Sequence, residues 1–173
     1  MKKISYLFAI AAVTLVSAFA FSSCGNDDDV KGESQKEPKL EYRIFVSDEV
    51  LALGEVEVGV SFAGQTDVKK VKANGSATKE DKDGTMFNGK VLLIQDIKDG
   101  SKVAVSFVPD EKAVAALPAE GSTAWAIKVV AKDVARPLTL KNHSVGSGEK
   151  PVPNGELIQT IIKGIKDLGY EFK

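Results

Sequence analysis

Between Glu55 and Phe62 apolar and polar residues alternate without a break. Val56, Val58, Val60 and Phe62 fall on one phase, and Glu55, Glu57, Gly59 and Ser61 on the other. A period of two puts one set on a core and the other in water only if the backbone is extended. The same period governs Leu40, Tyr42, Ile44 and Val46, with Glu41, Arg43 and Phe45 on the opposite phase. It returns in Val103, Val105 and Phe107, and again in Trp125, Ile127, Val129 and Ala131. Val68 to Ala73 carries a weaker version, and Leu138 to Leu140 a short one after Pro137. Lys90 to Ile94 ends in a continuous apolar run, the pattern of a strand buried on both faces.

About seven strands are thus expected, separated by turn signals at Gly54, Ala63-Gly64, Asn74-Gly75, Asp83-Gly84, Asp99-Gly100 and Gly121. Short strands so punctuated predict a mainly β fold, an immunoglobulin-like or transthyretin-like β-sandwich. The only cysteine, Cys24, precedes the first strand. The Cys–Trp–Cys core of true immunoglobulin domains is therefore absent, and no disulfide can form within the chain. Asp110 to Leu117 predicts one or two helical turns, with Asp110 as N-cap after Pro109.

The period changes near the C-terminus. Leu157, Ile158, Ile161, Ile162, Ile165 and Leu168 share one helical face and predict an amphipathic helix over 155–168. Asn154 is placed to cap its start and Gly169 to end it in a left-handed turn. Lys163 and Lys166 lie toward the negative end of its dipole. Its apolar stripe is expected to pack on a sheet face or edge. Lys141 to Gly155, rich in Gly, Ser and Pro, predicts a long loop before it.

Ahead of the first strand, Met1-Lys2-Lys3 is a short cationic start and Ile4 to Phe21 an apolar stretch, followed by Ser22-Ser23-Cys24. Cations, an apolar middle and small residues before a break mark a secretory signal peptide. The stretch also approaches the roughly 18 residues that span a bilayer, so a signal anchor is the alternative. Phe21-Ser22-Ser23-Cys24 resembles a lipobox, with Phe21 where Leu is usual. Gly25-Asn26-Asp27-Asp28-Asp29 is similar to the acidic export signal of surface-exposed lipoproteins of the Bacteroidetes group. The resemblance covers residues 1–29 alone. It implies cleavage before Cys24, lipidation of Cys24, and attachment to the outer membrane facing the cell exterior. Asp27, Asp28 and Asp29 would be the export signal, or else a solvated spacer. Residues 25–39 are polar apart from Val30 and read as a tether. The expected organisation is a signal peptide over 1–23, lipidated Cys24 with a tether over 24–39, and one domain over 40–173.

After residues 1–23 the chain carries 21 Lys+Arg against 24 Asp+Glu. That balance offers no basic footprint for nucleic acid. His143 is the only histidine, which removes most hydrolytic and metal-based machinery. Asp81-Lys82-Asp83-Gly84 invites a calcium reading, but an EF-hand frame with Gly84 sixth puts Lys79 first and Lys90 twelfth, cations where anions are required. A looser site of Glu80, Asp81 and Asp83, or a plain acidic hairpin turn, is left. No nucleophile elbow, phosphate-binding glycine loop or cofactor motif occurs.

A carboxylate hydrolase would need two acids facing each other, for which Glu55, Glu57 and Asp110 are the candidates. Trp125 could stack on a glycan, with Phe45 and Tyr170 beside it, although its alternating context places it in the core. The leading expectation is a non-enzymatic surface module without a cofactor, partnered by the membrane and an extracellular glycan or protein. Variants are a glycan-binding accessory of an outer-membrane uptake system, a fimbrial-type subunit, and an inhibitor or immunity-type protein using the Lys141 to Gly155 loop.

Overall fold

A computed structural model describes residues 37–173. Cys24, Asp27, Asp28 and Asp29, and the signal-peptide assignment, lie outside the described residues, as does nearly all of the tether. The order of elements is β1 (Leu40–Ser47), α1 (Asp48–Leu51), β2 (Gly54–Phe62), β3 (Gln65–Val71), β4 (Ser76–Lys82) and β5 (Thr85–Ile97). Then come β6 (Lys102–Pro109), α2 (Glu111–Ala115), β7 (Ser122–Thr123), β8 (Ala126–Asp133) and β9 (Leu138–Gly146). The chain closes with β10 (Val152–Pro153), α3 (Asn154–Ile165), a 3-10 turn (Lys166–Leu168) and β11 (Tyr170–Glu171).

The fold is a β-sandwich. One sheet runs β4-β5-β1-β8-β9, the other β11-β6-β2-β3, and β7 with β10 makes a two-stranded ribbon. Every pairing is antiparallel. The alternation read from the sequence sets which face is buried: Tyr42, Ile44 and Val46 of β1 meet Val56 and Val58 of β2 and Ile127 and Val129 of β8 in one core. Each such side chain, taken fully out of water, contributes roughly 1.5–3 kcal/mol. The helical stripe joins that core through Leu157, Ile161, Ile165 and Leu168, with α3 lying against β6 and β9. The described residues 37–173 lie in one compact unit whose core they supply themselves, which is what independent folding requires.

The seven expected strands are present, and β4 is an eighth long one. Its sequence, Ser-Ala-Thr-Lys-Glu-Asp-Lys, has no apolar phase to reveal it. Its ladder to β5 and the Asp83-Gly84 turn hold it, both turn residues having positive φ (50° and 82°).

Four further expectations are corrected. The Lys141 to Gly155 loop is mostly strand: β9 continues to Gly146 along β8, with Val129 opposite His143 and Ile127 opposite Val145. Ladder hydrogen bonds order this polar sequence where its composition does not. Lys90 to Ile94 is not buried on both faces, since Leu93 is 47% exposed and no element among the described residues covers it. Asn154 is the first helical residue rather than the cap, which is Pro153. The Asn154 side chain instead accepts from Thr123 Oγ1 (2.9 Å) and donates to the Pro118 carbonyl (2.9 Å). Gly169 is extended (φ −60°, ψ 157°), because the 3-10 turn feeds directly into β11.

Phe45, on the polar phase of β1, is fully buried and packs with Phe87 and Ala126 in a second, smaller core. The β4–β5 hairpin creates that core by folding over the outer face of its own sheet. Glu80 of β4 pairs with Arg43 of β1 (2.7 Å) and Lys128 of β8 (3.0 Å), lying over the cluster. The fold-over turns on Gly89, where a Cβ would lie 2.2 Å from the Val46 carbonyl oxygen and 2.5 Å from the Phe45 ring. Only glycine permits that approach.

Candidate binding cleft

At one end of the β11-β6-β2-β3 sheet, the start of β2, the end of β3 and the end of β6 open into a cleft of about 640 Å³. Its apolar wall is Leu51, Val71, Val108 and Pro109; Glu55, Lys70, Lys72 and Asp110 supply its charge. The Asp110 N–H donates to the Leu53 carbonyl (2.8 Å), tying the end of β6 to the α1–β2 link. Gly54 lets the two strands close, since a Cβ there would sit 2.3 Å from the Val108 carbonyl oxygen.

Two of the three carboxylates singled out from the sequence, Glu55 and Asp110, line this cleft. Glu57 adjoins it on the same sheet face. Lys70 connects the two glutamates. Its ammonium donates to Glu55 and lies 3.3 Å from Glu57. The hydrogen bonds it donates to Glu55 and then Glu57 hold its pKa above the usual lysine value, so Lys70 stays a cation. Asp110 Oδ1 accepts from the N–H groups of Lys112 (2.9 Å) and Ala113 (3.0 Å), capping α2 as the sequence predicts. General acid and base need two carboxyls held in different protonation states across a substrate. Here Glu55 and Glu57 share a lysine and Asp110 serves a helix. The arrangement suits ligand contact through an apolar wall and a charged rim.

Lys70 and Lys72 were not picked out from the sequence, although the signal for Lys70 was there. The two-residue Ala63-Gly64 turn pairs Phe62 with Gln65, and counting back from it sets Glu57 opposite Lys70.

The other flagged side chains lie elsewhere. Trp125 is 2% exposed and belongs to the main core. Its six-membered ring faces Gly164, and its Nε1 has no hydrogen-bond partner among the described residues. Phe45 belongs to the separate small core, and Tyr170 packs edge-on against Phe172 at 4.9 Å. The three aromatics therefore form no exposed patch. Glu80 is committed to Arg43 and Lys128, and Asp83 to Lys82. No cluster of three metal-binding side chains occurs among the described residues. His143 is exposed on β9. No helix among the described residues is long and apolar enough to cross a membrane. Set against protein families, curated proteins and solved structures, the chain matches none of them.

Proposed function

We propose that this chain is a lipid-anchored lipoprotein of the outer membrane, displayed outward, whose β-sandwich binds a ligand or partner without transforming it. Cys24, the acidic run Asp27 to Asp29 and the polar segment after it support anchoring and display. One observation carries the non-enzymatic half: the acids at the cleft are already paired with Lys70 or committed to the α2 cap. The apolar wall of Leu51, Val71, Val108 and Pro109 supports binding in the same cleft. A glycan-capture role draws little support, because Trp125 and Phe45 are buried.

The test expresses the full chain in a bacterium of the Bacteroidetes group with labelled fatty acid. The wild type should be labelled, sediment with membranes and be cleaved by protease added to intact cells. Cys24→Ser should be unlabelled. Changing Asp27, Asp28 and Asp29 together to Ala should leave the label but protect the domain from protease. An unlabelled wild type overturns the anchor, and a labelled but protected wild type overturns outward display.

A further inference from the structure

We propose that two copies of this domain associate through β3, pairing edge to edge in antiparallel register centred on Val68. The β3 strand closes one side of its sheet, and no described strand pairs with its outer edge. Six of its seven residues are exposed, and Val68, its middle apolar residue, is 54% exposed. The β2–β3 hairpin has a two-residue loop, Ala63-Gly64, with positive φ at both positions (49° and 81°). In such a hairpin the residues flanking the loop, Phe62 and Gln65, exchange hydrogen bonds. Gln65, Asp67, Lys69 and Val71 therefore turn their backbone groups toward β2. Thr66, Val68 and Lys70 turn theirs outward, a row of unmet donors and acceptors ready for another strand.

Charge then selects the register. A two-fold axis at Val68 sets Val68 against its copy, Thr66 against Lys70, and Asp67 against Lys69 on both sides of the axis. All the outward backbone groups are paired, and each acid faces a lysine. Moving the two-fold axis by one residue, to Asp67 or to Lys69, brings Asp67 against Asp67 or Lys69 against Lys69, and like charges directly opposite are destabilising. Edge lysines normally discourage strand addition. Here they disfavour the two neighbouring registers and favour the one centred on Val68, which pairs the whole strand. The other edges fit a second copy less well: β11 has two residues, β9 lies against α3, and β4 centred on itself sets Lys79 against Lys79. The product is one continuous sheet of eight strands across two copies, with a self-complementary interface.

The test uses residues 37–173, the unit that carries its own core, followed by sedimentation equilibrium. The wild type should dimerise. Asp67→Lys and Lys69→Asp, each alone, put like charges opposite and should weaken the dimer on the order of tenfold or more. The double swap, Asp67→Lys with Lys69→Asp, should restore it. Unchanged melting of the single variants, which alter exposed residues, separates lost pairing from lost folding. A monomeric wild type, single variants that dimerise as well as wild type, or a double swap that fails to recover overturns the proposal. So does a longer chain, residues 25–173, that stays monomeric where residues 37–173 dimerise, since its own polar segment would then occupy the edge.

Discussion

Tyr42 is the third residue of β1 and has no exposed surface, and its hydroxyl donates to the Leu168 carbonyl at 2.7 Å. That hydrogen bond joins the larger sheet to the 3-10 turn after α3, across 126 residues of sequence. Tyr42→Phe removes the donor, keeps the ring and leaves a buried carbonyl unmet, which costs about 1–3 kcal/mol. For a domain of this size the melting temperature should fall by roughly 3–10 °C. A second signature separates this bond from general packing. Burial holds the Tyr42 phenol far above its usual pKa, so the folded state keeps a proton that the unfolded chain releases. A raised pKa gives stability that is complete below the unfolded value near 10 and is lost as pH rises from there toward the folded value. The loss should approach about 1.4 kcal/mol per pH unit. Denaturant melts of wild type and Tyr42→Phe between neutral pH and about pH 11 measure both effects. The variant should be less stable at neutral pH and lack this alkaline decline. Equal stability at neutral pH, or the same decline in both proteins, would contradict this account of Tyr42.

Changes at Gly89 and Glu80 probe the folded-over hairpin, and one at Gly155 serves as a control. Gly89→Ala drives a methyl into the Val46 carbonyl and the Phe45 ring and should cost about 3 kcal/mol. Gly155→Ala, where nothing lies near the new methyl, should be neutral or slightly stabilising by the same thermal melt. Glu80→Gln should cost about 1 kcal/mol at neutral pH, because the carboxylate holds both Arg43 and Lys128 and is 16% exposed. Burial opposes its charge, but hydrogen bonds from Lys128 and Arg43 outweigh that and keep its pKa below the usual carboxylate value. A lowered pKa gives stability present above the unfolded value, near 4.3, and lost as pH falls through the folded one. The gap between wild type and variant should therefore close in acid, and a gap that persists there contradicts the ion-pair account.

The strand phases, and so most of the core, were legible in residue order. Val56, Val58, Ile127 and Val129 could face inward only if extended, and Leu157, Ile161, Ile165 and Leu168 only if helical. It also carried the turn chemistry of Ala63-Gly64 and Asp83-Gly84 and the Asp110 cap, because those depend on neighbouring residues alone. What it could not convey were events between distant segments. The strand β4 exists because β5 lies beside it, and β9 outruns its apolar residues because β8 supplies the ladder. Phe45 is buried because a hairpin more than thirty residues later folds across it at Gly89. The candidate cleft follows the same rule. Glu55 and Asp110 were legible as acids, but their meeting place and their partners depend on the docking of three strand ends. The residues that carry the anchoring proposal, Cys24 and Asp27 to Asp29, remain a matter of sequence alone. Local pattern fixes which way a side chain points; what it meets there depends on how distant segments pack.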